Sequence, residues 1–158
     1  MNPRLITGDF SLYCVYNPFI MFYAICYVST ANNLLDFQIR ELMSSTANAN
    51  QKRKITGVLM YNAGNFLQYM EGTKTDVISL YRDKIKEDTR HKNLIVLLEK
   101  EIDHLYFDGY NAGFTSILEQ NNNTQFRSYI ELLKHIDTSE VRVVTNTIET
   151  FLGKSLNK

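Results

Sequence analysis

From Phe10 to Leu35 the chain carries no charged side chain, a stretch long enough to raise a membrane or signal-peptide reading. Against that reading, it contains Asn17-Pro18, four tyrosines and the polar group Ser29-Thr30-Ala31-Asn32-Asn33, and it is poorer in Leu, Ile and Val than spanning segments are. The preferred reading is an irregular N-terminal extension over residues 1–20, then a strand-like run opened by Met21, Phe22-Tyr23-Ala24-Ile25-Cys26-Tyr27-Val28. A near-continuous apolar strand implies a sheet covered on both faces.

The rest of the chain supplies the covering layers. Residues 36–51 show helical spacing, with Leu35, Ile39, Leu42 or Met43, Thr46 and Asn50 on one face. Two short strands follow at 55–61 and 65–71, separated by Asn62-Ala63-Gly64, which is hairpin-turn chemistry. Residues 75–87 read as a second helix whose inner stripe is Val77, Tyr81 and Ile85. Strands are expected at 93–100 and 109–117. The order is β-α-β-β-α-β-β, an α+β ferredoxin-like arrangement with two helices on one face of a mixed sheet. After residue 118 a polar linker leads to two short amphipathic helices, 124–136 and 139–152. Helices this short need a partner surface, and the far face of the sheet offers one. The expected division is therefore an extension at 1–20, a domain at 21–118 and C-terminal helices at 119–158.

Bulk properties exclude several functions. Seventeen basic and seventeen acidic side chains cancel, so nothing in the charge favours nucleic acid or an anionic membrane. Cys14 and Cys26 lie in apolar surroundings, as reduced thiols of a cytoplasmic protein do. His91, His104 and His135 are isolated and no metal-ligand spacing occurs. No serine-nucleophile or phosphate-loop pattern is present, so an enzyme is not expected. Asp88-Thr89-Arg90-His91 by itself reads as a solvated helix end.

More unusual are the amides. Gln68 sits in the middle of an apolar strand and Asn50 on the inner face of a helix, and burying an amide costs a few kcal/mol unless it finds partners. Tyr27 adds a phenol on a neighbouring strand. A planar ligand rich in donors and acceptors would satisfy all three; a self-contained polar network is the alternative.

Ile55-Thr56-Gly57-Val58-Leu59-Met60-Tyr61 followed by Phe66-Leu67-Gln68-Tyr69-Met70-Glu71-Gly72 resembles the central signature of BLUF domains, blue-light sensors using FAD. Tyr27-Val28-Ser29, Asn50 and Asp88-Thr89-Arg90-His91 extend the resemblance over about three fifths of the chain. It implies non-covalently bound FAD, with Tyr27 giving an electron and a proton to the excited flavin and Gln68 bridging that phenol to the ring's N5/O4 edge. Rotation or tautomerisation of Gln68 then strengthens a hydrogen bond to O4 and moves the absorption red. The resemblance further assigns Asn50 to the O4 and N3 edge, Ser29 and Thr46 to the ring lining, and Asp88, Arg90 and His91 to the ribityl and phosphate side. It also implies signalling through a downstream partner and a homo-oligomer; that neither nucleic acid nor membrane is a partner is expected from the charge balance and composition above.

The chain departs from the pattern on the expected last strand. The family's frequent Trp-x-Met is here Tyr110-Asn111-Ala112, which removes a methionine that normally contacts the glutamine amide. Tyr110 and Ala112 are therefore expected to tune the site, unless Tyr110 is merely an outward aromatic at the sheet edge. Other readings are a flavin-binding redox adaptor without light signalling, an acylphosphatase-type hydrolase, for which no anion loop is found, and a plain oligomerisation domain.

Overall fold

The computed structural model describes residues 20–110, 113–118 and 124–153. Five strands form one mixed sheet in the order β4-β1-β3-β2-β5. They are β1 (Phe22–Ala31), β2 (Thr56–Asn62), β3 (Asn65–Thr73), β4 (His91–Ile102) and β5 (Phe114–Leu118). β1 runs antiparallel to β3 and β4, β2 is antiparallel to β3, and β5 is parallel to β2. The α+β arrangement is as expected, and the charge-free run delivers a strand buried through its middle. Among the described residues no helix is long and apolar enough to cross a membrane. The proposed extension lies, except for residue 20, outside the described residues.

The period-2 alternation of β3 divides the molecule into two cores. Phe66 and Met70 join Tyr27, Leu59 and Phe114 on one face. That face is covered by α1 (Asp36–Lys52) and α2 (Lys74–Leu80), through Ile39, Met43, Val77 and Leu80. Leu67 and Tyr69 point the other way, among Ala24, Val58 and Met60. That side is covered by α3 (Thr124–Leu133) and α4 (Ser139–Phe151), through Phe126, Ile130, Val141 and Ile148.

Local chemistry sets the element ends. The β2–β3 hairpin turns on Ala63 and Gly64, both at positive φ (48° and 84°), the backbone that matches the strands' right-handed twist. Gln38 Oε1 accepts from the Leu35 amide at 2.8 Å, and the Thr73 and Thr138 hydroxyls accept from the amides of Asp76 and Val141, as N-caps do. Gly57 has φ +139°, and a Cβ there would lie 2.0 Å from the Tyr69 carbonyl oxygen. Gly57→Ala is therefore expected to cost at least about 3 kcal/mol, from strained backbone plus a main-chain clash. Urea unfolding followed by circular dichroism measures it, and a cost below about 1 kcal/mol would contradict the clash.

Four details differ from the sequence expectations. Leu35 is exposed, because it precedes α1 and does not belong to its inner stripe. The second helix does not run as one α-helix: it passes at Tyr81–Ile85 into a π-turn. That widening rotates the inner stripe, so Leu80 is buried with Val77 and Ile85 while Tyr81 is only half-buried. The last strand begins at Phe114 rather than 109. Residues 103–110 are instead turns pinned against the sheet, since the amides of Tyr106 and Phe107 donate to the Glu71 carboxylate.

Candidate functional site

Tyr27 and Gln68 are direct cross-strand partners in the β1–β3 ladder, which places both side chains on one face and next to each other. The Tyr27 hydroxyl donates to Gln68 Oε1 at 2.6 Å. Both residues are buried. Burial pushes the Tyr27 phenol well above its ordinary pKa, with the nearby Asp88, Tyr81 and Cys26 adding to the rise. The phenol therefore stays protonated at any physiological pH. With Oε1 engaged, Gln68 Nε2 points away from the phenol and lies 4.0 Å from Met70 Sδ.

Asn50 comes from the last full turn of α1 and is 2 % exposed, yet its Nδ2 has no hydrogen-bond partner among the described residues. A buried amide left unpaired costs about 1–3 kcal/mol. Its surroundings explain the orphan. Tyr27, Thr46, Asn50 and Gln68 line one cavity of about 180 Å³ between the sheet and the two helices. A single water needs roughly 10–15 Å³ by the same measure, so this space has room for far more than one water. Its apolar walls include Leu42, Leu59, Phe66 and Leu80.

Asp88, Arg90 and His91 close the same cavity on one side. Arg90 grips Asp88 through Nε and Nη2, at 2.7–3.1 Å, and its own amide donates to the same carboxylate. The guanidinium hydrogen bonds hold the Asp88 carboxyl below the usual carboxylate range, although partial burial opposes them. His91 Nε2 lies 2.7 Å from the Ile85 carbonyl, and Nδ1 lies 2.8 Å from the Ser29 hydroxyl. A carbonyl only accepts, so Nε2 carries a hydrogen and donates it to Ile85. The π-turn makes this possible by presenting the Ile85 carbonyl, and π-bulges are frequent at functional sites.

The fold thus brings Tyr27, Thr46, Asn50, Gln68, Asp88, Arg90 and His91 to one cavity. Ser29 is buried and reaches it through His91. Tyr110 is not brought there. It precedes β5 and lies in the opposite core, stacked on Tyr129 at 4.8 Å and edge-on to Phe126 at 5.9 Å. The aromatic partners on α3 draw it to that side, so neither expected role, as tuner of Gln68 or as outward aromatic, describes its place. Ala112 lies outside the described residues.

Sequence reasoning missed Arg53 and Lys84, two exposed cations that also line the cavity. Arg53 follows Asn50 by three residues, at the end of α1, and that helical spacing was a usable signal. Lys84, in the π-turn, gave none. Also missed was Glu71, fully buried behind the site and accepting from Thr56, Tyr69 and the amides of Tyr106 and Phe107.

The donor set fits a flavin. An orphaned amide and a hydrogen-bonded Gln–Tyr pair offer donors and acceptors to a planar ring with carbonyls and ring nitrogens, and three cations, Arg53, Lys84 and Arg90, line the same cavity. Comparison with known proteins agrees. The family described as "Sensors of blue-light using FAD", BLUF, matches residues 22–113. The photoactivated adenylate cyclase subunit alpha of Euglena gracilis is 33% identical over 106 residues, 61% of this chain but 10% of that protein. The blue light- and temperature-regulated antirepressor BluF of Escherichia coli is 36% identical over 61 residues, 39% of this chain and 15% of the relative. This chain therefore spans a small part of the curated relatives it matches. Among solved structures, a bacterial light-regulated adenylyl cyclase superposes with a TM-score of 0.58 at 29% identity, covering 80% of this chain and 36% of that one. The BLUF protein BlrB, in its dark state, shares the fold at 19% identity and TM-score 0.58, over 81% of this chain and 98% of that one.

Proposed function

The chain belongs to the BLUF family of blue-light sensors, whose cofactor is FAD, and from that premise we propose that it is a photoreceptor switched by Tyr27 and Gln68. FAD, when bound, supplies the blue-absorbing ring and an acceptor for an electron. The residues that would hold it are Asn50 and Gln68 at the ring, Thr46 along the wall, and Arg53, Lys84 and Arg90 toward the phosphates. The observation that carries the reading is the 2.6 Å hydrogen bond from the buried Tyr27 hydroxyl to Gln68 Oε1.

That bond gives Tyr27 its role. A phenol this buried does not ionise in the dark. Once it loses an electron it becomes a strong acid, and the proton has an acceptor already in place at Gln68 Oε1. Removing the proton from that line, and returning it, lets the Gln68 amide leave and regain its dark arrangement. Gln68 sits on the central strand β3, between β1 and β2, so a change in its hydrogen bonding reaches the sheet directly.

The output is a change of partner or of oligomeric state. Helices α3 and α4 cover the face opposite the cavity and bury six apolar side chains against the sheet and each other, among them Phe126, Ile130 and Val144. They are placed to feel a shift of β3. The relative in Escherichia coli is described as an antirepressor, an activity exercised through another protein, and this chain is read in the same way.

The test is the absorption spectrum of the purified, FAD-loaded chain before and after blue light. A reversible red-shifted species is expected, and a spectrum that bleaches or stays unchanged would reject the reading. Size-exclusion chromatography in the dark and under illumination reads the output step.

A further inference from the structure

Gln68 can present either end of its amide to Tyr27, because a phenol hydroxyl donates as readily as it accepts. Tyr27 alone therefore does not choose between the two orientations. Something else must break the tie.

Met70 is placed to do so. It lies two residues beyond Gln68 on β3, on the same face by strand alternation, and is fully buried in the same apolar cluster as Tyr27. Its backbone is fixed by pairing with Ile25 on one side and Gly57 on the other. The sulfur lies 4.0 Å from Gln68 Nε2 while Oε1 takes the Tyr27 hydroxyl at 2.6 Å. A thioether is a weak acceptor and never a donor. It receives the amide N–H, whereas an amide oxygen turned toward it would set lone pairs against lone pairs.

We propose that Met70 is a positioning residue that holds Gln68 with Oε1 on Tyr27 and thereby speeds return to that arrangement after light. The inference rests on the photoreceptor reading above.

The experiment compares the dark recovery of three FAD-loaded full-length proteins: wild type, Met70→Leu and Met43→Leu. Leucine keeps the volume of methionine and removes the sulfur. Met43 is a buried methionine of α1 in the same cluster, so it controls for packing. Met70→Leu is expected to keep its flavin and its red-shifted species while recovering about two- to tenfold more slowly, the range set by one weak hydrogen bond. Met43→Leu is expected to recover like wild type. Unchanged or faster recovery in Met70→Leu overturns the inference, and so does equal slowing in both variants. If Met70→Leu loses flavin, Met70→Ile is measured, and loss in both marks Met70 as a packing residue only. Absence of any red-shifted species in wild type sinks the photoreceptor reading itself, and this inference with it.

Discussion

Tyr27→Phe is expected to bind FAD and to form no red-shifted species under blue light. The substitution removes one oxygen and keeps the ring that packs with Ile25, Leu59 and Phe66. Flavin retention should therefore be close to wild type. The cost falls on Gln68, whose Oε1 loses its donor at 2.6 Å, an unpaired buried acceptor worth about 1–3 kcal/mol. The photochemical loss is of another order. Phenylalanine is a far poorer electron donor than a phenol, and it has no acidic proton to pass to the amide. Light-minus-dark difference spectroscopy at matched flavin content decides the matter. A red-shifted species of wild-type yield in Tyr27→Phe would remove Tyr27 from the mechanism and favour a flavin module that does not use this pair.

The second large effect is structural. Glu71→Ala is expected to destabilise the protein by about 3–5 kcal/mol. Glu71 is fully buried and accepts four hydrogen bonds, at 2.6–2.9 Å, from the Tyr106 and Phe107 amides and the Thr56 and Tyr69 hydroxyls. Alanine would leave those donors without their acceptor, at about 1–3 kcal/mol for each that stays dry. Against this stands the cost of burying a carboxylate, which alanine relieves. Four donors outweigh it, but only by part of their sum. Denaturant unfolding measures the loss, and a change under about 1 kcal/mol would show that the donors find other partners.

The sign of the pH dependence follows from the same balance. Burial raises the Glu71 carboxyl above its ordinary value of 4.5, although its four donors pull the other way. The folded chain therefore binds this proton more readily than the unfolded chain. The stabilisation linked to that proton is complete below pH 4.5 and is lost as pH rises through the folded-state value. The stability gap between wild type and Glu71→Ala should accordingly widen as pH is lowered toward 4.5, when both are measured by the same unfolding curves.

Much of the framework could be read without coordinates. Phe22–Ala31 of the charge-free run became β1, Asn62-Ala63-Gly64 became the β2–β3 turn, and the apolar stripes of residues 124–133 and 139–151 became helices packed on the far face. These follow from local rules: burial needs a matching period, and a turn needs residues that accept its φ. The amides at 50 and 68 stood out for the same reason, since an apolar strand or stripe holds no polar group without cause. What failed was whatever depended on distant packing. The start of β5, the π-turn and the side of the sheet taken by Tyr110 are set by contacts with Glu71, His91 and α3.

Sequence alone singled out a phenol and two amides in elements whose type their periodicity specifies, and the resemblance to a known family added the histidine–arginine–aspartate group at the turn that leads into β4. The tertiary structure decided which of them meet. The β1–β3 register sets Tyr27 opposite Gln68, and strand alternation adds Met70 to that face and sends Glu71 to the other. Register joins segments about forty residues apart, and a slip of one residue would turn Gln68 to the other face of the sheet, away from Tyr27.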